Sequence, residues 1–335
     1  MSNFSRRTTS VGKAVAVLAL MAAPLTACGS DDAGSAAAAD SGGTLRITTL
    51  GLCNEIPVFW AQENGQFKDS GLDVELVKST GGAAALTALQ SGDIDLAFTN
   101  PFSTMIAASQ GIDLRWIATA YETTDVKGQG TNAMAVTKAS GVTDAKGLNG
   151  ATIGINEIGG INQIISTEWL KMNGADVKSV QFVALPFNEL ASAVATDKID
   201  AAQIPAQNVN PELGLVSLED PYVAVGDGKR LVFAGYVATA KSAEAREGDF
   251  KAFQDALIKA NEELNAPANS DAKFELQSKN CKQDAAYLKS LNENIYEARV
   301  DTEALGRMAD ILQGQGRVED ASAFGDLVPS YVTKK

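Results

Sequence analysis

The chain has 335 residues, with 28 lysines and arginines, 41 aspartates and glutamates, and a formal net charge of −13. It contains no histidine, which excludes Ser-His-Asp and Cys-His catalysis, imidazole-dependent zinc sites and histidine-based pH switches. The acidic balance argues against a nucleic-acid partner, because phosphate binding needs a basic surface. The length suggests about two domains, and 45% hydrophobic residues are enough for a substantial core.

The first 27 residues have the features of an export signal. Arg6, Arg7 and Lys13 precede an apolar run that is too short to span a bilayer. Small residues then lead to Cys28 in the sequence Leu-Thr-Ala-Cys, which resembles a bacterial lipobox. The pattern predicts a signal peptide over residues 1–27 and lipidation of Cys28, whereas the alternative is an ordinary signal peptide with an incidental cysteine. The adjacent arginines leave open whether export follows the general or the twin-arginine route.

Residues 28–43 are predicted to form a lipidated, flexible tether. Beyond Cys28 the segment consists mainly of Gly, Ser, Ala and Asp and has no large apolar side chain. Because the whole chain is acidic, its surface would be repelled by anionic headgroups, and the lipid would hold the protein at the membrane. We therefore expect an exported protein that is anchored by lipid to the outer face of the cytoplasmic membrane.

Two further cysteines, Cys53 and Cys281, follow the tether. Exported proteins mature under oxidising conditions, so the pair is a candidate disulfide, and two unpaired thiols are the alternative. A bond between them would close a very long loop and stabilise the fold by roughly 4–5 kcal/mol in the chain-entropy description. Two cysteines without histidine do not indicate a metal site, and we predict no cofactor.

Short apolar segments alternate with helical segments after the tether. Strands are predicted over residues 44–49, 72–77, 94–98, 114–120, 151–155, 177–185 and 199–203. Helices are predicted between them over residues 57–64, 79–91, 100–110, 161–173 and 188–196. Strands that alternate with helices of this length are typical of β-α-β units and parallel sheets.

The alternating pattern occurs twice in the chain. A helix end, a turn and an Ile-Asp strand start recur at residues 89–97 and 194–202. Two further matches are nearly in register, at residues 71–74 with 174–177 and at residues 54–56 with 156–158. Together these matches predict two similar lobes.

The predicted fold class is α/β, with two lobes that each contain a mainly parallel sheet flanked by helices. Two apolar extended runs, residues 133–137 and 230–239, are natural hinge strands between the lobes. Helices are predicted after residue 242, over residues 249–265, 271–279, 284–298 and 302–313. We expect lobe 1 to comprise residues 44–135 and 240–335, and lobe 2 to comprise residues 136–239. A bond between Cys53 and Cys281 would tie the helical tail to lobe 1.

The segment from Gly65 to Ala97 resembles a known family. Its sequences Gly-Gln-Phe-Lys-Asp-Ser-Gly-Leu-Asp-Val and Gly-Gly-Ala-Ala-Ala-Leu-Thr-Ala-Leu-Gln-Ser-Gly-Asp-Ile-Asp follow a lipobox and a first strand. This combination is similar to the solute-binding lipoproteins of ABC importers in the nitrate/sulfonate/taurine and thiamine-precursor group. The resemblance covers about residues 45–240, and it is specific to the superfamily but not to any one ligand.

The resemblance implies a periplasmic-binding-protein type II fold that holds a small molecule in the cleft between its lobes. The ligand would be a sulfonate, nitrate, taurine or a pyrimidine precursor, and the partners would be the permease subunits of an ABC importer. The protein would act as a monomer. It would have no enzymatic activity, since related enzymes on this fold depend on histidine and this chain has none. The alternative is a lipoprotein sensor or adhesin of the same fold that feeds another membrane partner.

Loops at the carboxyl ends of strands are the predicted binding positions, because helix N-termini there present free N–H groups. The candidate loops are residues 53–59, 79–82, 99–102, 156–163 and 205–208. The predicted ligand-binding residues are Asn54, Glu55, Phe59, Thr80, Gly81, Thr99, Asn100, Glu157, Gly159, Gly160, Asn162, Gln163, Gln207 and Tyr236. Helix capping or core packing is the competing interpretation for most of them.

The candidate loops contain no arginine or lysine, whereas Glu55 and Glu157 occupy similar positions after a strand. A carboxylate near a helix N-terminus is often only a favourable partner of the helix dipole. The second interpretation is that one glutamate accepts a hydrogen bond from a cationic or N–H-bearing ligand. That interpretation disfavours a simple anion as the ligand.

Overall fold

The computed structural model describes residues 43–335, which contain ten strands and twelve α-helices. The strands are β1 (Leu45–Thr49), β2 (Val74–Lys78), β3 (Ala97–Thr99), β4 (Leu114–Glu122), β5 (Asn132–Thr137), β6 (Thr152–Ile155), β7 (Gln181–Ala184), β8 (Ala201–Pro205), β9 (Leu215–Ser217) and β10 (Val232–Thr239). The helices are α1 (Ile56–Glu63), α2 (Gln66–Asp69), α3 (Gly82–Ser91), α4 (Pro101–Ser109), α5 (Ile161–Met172), α6 (Phe187–Ala195), α7 (Pro221–Gly226), α8 (Ala240–Ala245), α9 (Glu247–Leu264), α10 (Ser270–Cys281), α11 (Ala285–Lys289) and α12 (Thr302–Gly314). The predictions for the signal peptide, for Cys28 and for most of the tether lie outside the described residues.

The strands form two sheets of the same topology. The second sheet has the order β7-β6-β8-β5-β9. The first sheet consists of the pair β2-β1 and the group β3-β10-β4. A parallel bridge between Ile47 of β1 and Leu96, directly before β3, joins these two parts. Each sheet therefore has three parallel strands followed by two antiparallel pairings. The predicted α/β fold of two similar lobes is confirmed.

The two predicted hinge strands occupy equivalent places in the two sheets. β5 lies between β8 and β9, and β10 lies between β3 and β4. Each is antiparallel to both neighbours. The rest of the first sheet is formed by β1 to β4 and the rest of the second by β6 to β9. The chain thus crosses from one sheet to the other after β4 and returns before β10. The lobe boundaries given above stay a prediction.

The repeated Ile-Asp pair has the same structural role in both sheets. Asp95 Oδ2 accepts a hydrogen bond from the backbone N–H of Arg46, at the start of β1, at 2.9 Å. Asp200 Oδ2 accepts one from the backbone N–H of Thr152, at the start of β6, at 2.7 Å. The aspartate therefore aligns β1 with β3 in the first sheet and β6 with β8 in the second. This shared role explains why the Ile-Asp pair recurs in the sequence.

The long helix α9 covers the first sheet with aromatic side chains. Phe253 stacks on Phe67 with 5.6 Å between ring centroids, and it meets Tyr236 of β10 edge to face at 5.0 Å. Phe250 and Leu257 of the same helix are fully buried in this cluster. Their spacing along one helix face is the pattern that predicted this helix from the sequence. Burial of this face holds the C-terminal helices against the first sheet.

The predicted helix over residues 284–298 is wrong beyond its first turns. α11 ends at Lys289, and the following residues are irregular. Ile295 forms an antiparallel bridge with Glu122 at the end of β4, and the Ala298 carbonyl accepts from Thr119 N–H at 3.2 Å. This segment finds its backbone partners on β4, and such long-range pairing overrides local helix propensity. No helix of residues 43–335 has the length and apolar character required to cross a bilayer.

Gly235 in β10 lies directly against Trp116 of β4. A Cβ atom at Gly235 would be 2.2 Å from Trp116 Cζ2 and 2.5 Å from the Ala118 carbonyl oxygen. We expect Gly235→Ala to lower the free energy of unfolding by about 1–3 kcal/mol, because neither the backbone atom nor the buried ring can yield cheaply. Urea denaturation measures the change. Gly248→Ala in α9, where an added Cβ atom would have no heavy atom within 4 Å, is the control and should not lower stability, because alanine favours a helix more than glycine does. Equal stabilities of Gly235→Ala and the wild-type protein would contradict the prediction.

Candidate functional site

A cavity of about 480 Å³ is lined by residues that follow strands of both sheets. Gly51 and Leu52 follow β1 of the first sheet. Pro205 and Gln207 lie at the end of β8 in the second sheet, and Phe187 begins α6. The carboxyl ends of parallel strands from both sheets therefore border one cavity, which is the usual position of ligand sites in open α/β sheets.

A disulfide fixes one wall of this cavity. The structure joins Cys53, after β1, to Cys281, the last residue of α10. Both cysteines line the cavity, and Phe274 and Leu288 pack beside the bond. The bond therefore holds the short 3-10 turn Cys53–Glu55 against the C-terminal helices.

Glu55 is fully buried and hydrogen-bonded within its own loop. Its carboxylate oxygens accept from the backbone N–H of Leu50 at 2.9 and 3.0 Å and from that of Gly51 at 2.9 Å. Burial nevertheless raises the pKa of Glu55 to about 7, because desolvation outweighs these hydrogen bonds. The carboxyl group shapes the loop after β1, and this arrangement agrees with a structural role for Glu55.

Glu157 approaches the first turn of α3 from the other sheet. Its carboxylate lies near the backbone N–H of Ala83, and its Oε2 would lie 3.7 Å from a Cβ atom at Gly81. A Cβ atom at Gly160 would be 3.2 Å from Glu157 Cβ. Glycine at position 160 therefore leaves room for this side chain, whereas a Cβ atom at position 81 would make only an ordinary contact with it. Burial raises the pKa of Glu157, and the nearby Ala83 N–H lowers it to a smaller extent.

Several polar side-chain atoms outside the lining of the cavity of about 480 Å³ are buried without a hydrogen-bond partner among residues 43–335. They are Thr99 Oγ1 at the end of β3, the Tyr121 hydroxyl in β4, Asn156 Oδ1 after β6, and both amide atoms of Gln203 in β8. Thr99, Tyr121 and Gln203 are at most 2% exposed. Buried polar groups are nearly always hydrogen-bonded in stable proteins, and each exception calls for an explanation. These atoms lie in strands of both sheets or directly after them. A polar ligand bound between the sheets would need polar groups in such positions.

Four of the predicted residues, Gly81, Thr99, Glu157 and Gly160, lie close together around the start of α3, and none of them borders the cavity of about 480 Å³. Gly81 and Gly160 neighbour the Glu157 side chain, and Thr99 Oγ1 would be 2.8 Å from a Cβ atom at Gly82, which begins α3. The first sheet supplies Gly81 and Thr99, and the second supplies Glu157 and Gly160. The structure therefore brings these four together from two distant parts of the chain.

Three other predicted residues form local contacts at helix starts. Asn100 caps α4, with its Oδ1 accepting from Ser103 N–H at 3.0 Å. Gly159 donates its N–H to Gln163 Oε1 at 2.7 Å. These contacts are the capping interactions that the sequence offered as the alternative interpretation.

The remaining predicted residues are dispersed. Asn162 accepts a hydrogen bond from the Tyr222 hydroxyl. Asn54 borders a small cavity of about 40 Å³, and Gln207 borders both that cavity and the one of about 480 Å³. Tyr236 is buried in the core of the first sheet, Phe59 packs on the same core, and Thr80 is exposed.

Sequence reasoning overlooked Gln203, whose amide lies close to the hydroxyl of Tyr222. It also gave little weight to Tyr121, whose pKa is raised well above its usual value by burial and by the nearby Glu55 charge. A signal for Gln203 was available, because it is a polar residue within the buried strand Ala201–Pro205. Its importance depends on the lack of a partner, which only the tertiary structure shows.

A second cavity, of about 730 Å³, adjoins both segments that cross between the sheets. Asp220 borders it and accepts hydrogen bonds from the backbone N–H of Asn132 at 2.9 Å and of Tyr222 at 2.8 Å. Burial raises the pKa of Asp220 to about 6. None of the predicted ligand-binding residues borders this cavity. Within residues 43–335, no group of three or more acidic or cysteine side chains is placed to hold a metal ion.

Several solved structures share this architecture. The alkanesulfonate-binding protein SsuA from Xanthomonas axonopodis pv. citri, bound to MOPS, is 16% identical with a TM-score of 0.68, covering 86% of this chain and 95% of that protein. The periplasmic nitrate-binding protein NrtA from Synechocystis PCC 6803 is 14% identical with a TM-score of 0.70, covering 86% of each chain. The Candida albicans CA3427 gene product, which has the generic periplasmic binding protein fold, is 18% identical with a TM-score of 0.69, covering 88% and 98%.

These likenesses define the fold as that of the periplasmic binding proteins. The chain belongs to the NMT1/THI5 like family, whose profile matches residues 53–269. The family resemblance inferred from residues 65–97 is thereby confirmed. No curated protein sequence matches the chain.

Proposed function

We propose that this protein is the extracytoplasmic solute-binding lipoprotein of an ABC importer. The observation that carries the proposal is the set of buried, unpartnered polar atoms contributed from both sheets, including Thr99 Oγ1 and the Gln203 amide. Such atoms lose hydrogen bonds to water on folding, and a bound polar solute would restore those bonds. Family membership and fold support capture of a small solute without chemical conversion.

The proposed mechanism is closure of the two lobes around the solute. The parallel strands of both sheets end at the cavity of about 480 Å³, so closure would surround a ligand with helix N-termini and polar side chains. The closed form would then dock on the permease subunits, and binding energy would favour that form. No covalent step is needed, which agrees with the lack of histidine in the chain.

We further propose that a lipid on Cys28 anchors the protein to the outer face of the cytoplasmic membrane and that it acts as a monomer. The lipobox-like Leu-Thr-Ala-Cys sequence supports the anchor. A tethered monomer could present either lobe to the permease while remaining close to the membrane.

The solute is proposed to be a small nitrogen- or sulfur-containing compound of the sulfonate, nitrate, taurine or pyrimidine-precursor type. No arginine or lysine lines the cavity of about 480 Å³. The unpartnered groups Thr99, Tyr121 and Gln203 are neutral, and they can donate or accept hydrogen bonds. These features favour a neutral or N–H-bearing member of that set.

Gln203→Leu provides a direct test of the site. Because leucine removes an unpartnered buried amide at similar volume, we expect the unliganded protein to gain about 1 kcal/mol of stability. The variant should also bind the solute at least tenfold more weakly, since a ligand hydrogen bond is lost. Native mass spectrometry of the purified wild-type protein identifies the co-purified solute, and thermal shift measures its binding.

Gln277→Leu is the matched control for this test. Gln277 is also buried, but its Nε2 donates to the Tyr296 hydroxyl at 2.9 Å. That variant should lose stability and keep its affinity for the solute. Unchanged solute affinity in Gln203→Leu, or no solute bound to the wild-type protein in any assay, would contradict the proposed site.

A further inference from the structure

The N-terminus of α3 lacks a cap from its own segment. Its N-cap, Gly81, has no side chain to accept a hydrogen bond, and no acidic residue lies in the first turn. α3 has 10 residues, so its N-terminus presents free N–H groups with partial positive charge. A free helix N-terminus of this kind is a favourable binding position for an anion.

Glu157 brings an acceptor to this helix start from the opposite sheet. Its carboxylate lies near the Ala83 N–H and beside Gly81. No salt bridge of Glu157 occurs within the part of the chain that the structure describes. The carboxylate therefore retains the capacity to accept further hydrogen bonds.

Thr99 gives a second and independent indication that a ligand binds at this position. Its hydroxyl is buried at 2% residue exposure and unpartnered, and it is directed toward Gly82 at the start of α3. A hydroxyl and a carboxylate thus converge on the same helix start from different sheets. The hydroxyl can donate or accept, whereas the ionised carboxylate can only accept.

We propose that Glu157 is a specificity-determining residue that occupies the anion position of α3 and selects an N–H-bearing solute over an oxyanion. This inference rests on the proposed function, and it narrows the substrate class to amines and N–H-bearing neutral compounds. An oxyanion would have to displace the carboxylate or lie beside it, and no arginine or lysine in the candidate loops would offset the repulsion. An N–H donor would instead form a charge-assisted hydrogen bond with it.

The burial of Glu157 agrees with this assignment. Desolvation raises the pKa of this carboxyl because the nearby Ala83 N–H compensates only part of the lost hydration. A donor group on the solute would restore a further hydrogen bond to the ionised form. The site would therefore gain most from a ligand that carries N–H groups.

Glu157→Gln separates the two ligand classes. The probes are ethanesulfonate and nitrate as oxyanions and 4-aminopyrimidine as an N–H-bearing neutral compound, with binding measured by calorimetry. We expect at least tenfold tighter binding of ethanesulfonate or nitrate to Glu157→Gln than to the wild-type protein. Binding of 4-aminopyrimidine should weaken at least tenfold. Glu157→Ala should shift both affinities in the same directions, and Glu75→Gln, an exposed carboxylate on β2, should change neither.

The possible outcomes distinguish this inference from the proposed function. If the wild-type protein binds ethanesulfonate or nitrate as tightly as Glu157→Gln does, the role of Glu157 is overturned while solute binding stands. If neither form binds any probe, the role of Glu157 is likewise overturned, since the variant should gain oxyanion binding. The proposed function is then judged separately by the solute found in native mass spectrometry.

Discussion

Replacing both Cys53 and Cys281 with serine is expected to lower the free energy of unfolding by about 2–5 kcal/mol. The bond spans a sequence separation of 228 residues, so it greatly restricts the unfolded chain. The folded state also loses packing, because Cys53 lies with Phe274 and Leu288 in a small apolar cluster. Urea denaturation of the wild-type protein and the double variant measures the difference.

Reduction of the wild-type protein provides the control for that prediction. A reductant should destabilise the wild-type protein toward the level of the double variant and leave the variant itself unchanged. Solute affinity should also fall, because the bond fixes Cys53 in the wall of the cavity of about 480 Å³. Equal denaturation midpoints for the oxidised wild-type protein and the double variant would show that the bond contributes little.

Glu55 is expected to make the protein less stable as the pH rises from about 4.5 to about 7. The folded pKa of about 7 exceeds the ordinary value of 4.5, so the folded state keeps a proton that the unfolded chain has lost. Stability from this group is therefore complete below the lower value and falls until the upper value is reached. The change corresponds to about 3 kcal/mol.

The comparison with Glu55→Gln isolates this effect. Other carboxyl groups with raised pKa values, such as those of Asp220 and Glu122, are present in both proteins and cancel in the difference. The stability of the wild-type protein relative to Glu55→Gln should fall across the stated pH window. A constant difference between wild type and Glu55→Gln would rule out a buried carboxyl with a raised pKa.

The two glutamates illustrate how similar sequence positions acquire different roles. Both follow a strand within an Asn-Glu-Ile sequence. Glu55 comes six residues after β1 and lies in a turn that folds its carboxylate onto Leu50 and Gly51. Glu157 comes two residues after β6, so its side chain extends from the sheet edge toward α3. The distance from the strand end therefore decides whether the carboxylate bonds locally or across the site.

The architecture was largely predictable because its signals are local and periodic. Alternating apolar segments, Pro57 at a helix start and the repeated Ile-Asp pair each reflect contacts that recur in every β-α-β unit. The segment near Ile295 was misassigned because its backbone partner is Glu122, far away in the chain. Local propensity contains no information about such a partner.

The sequence by itself determined that this chain has two similar α/β lobes, a pair of strands that connect them, and no histidine-dependent chemistry. Only the tertiary structure decided which polar groups converge. Glu157, which follows β6, is brought beside Gly81 at the start of α3, and the packing of α7 on α5 brings the Tyr222 hydroxyl to Asn162. Whether a hydrogen bond forms depends on differences of a few tenths of an ångström in the distance between atoms of distant segments. A local sequence pattern contains no information about such distances.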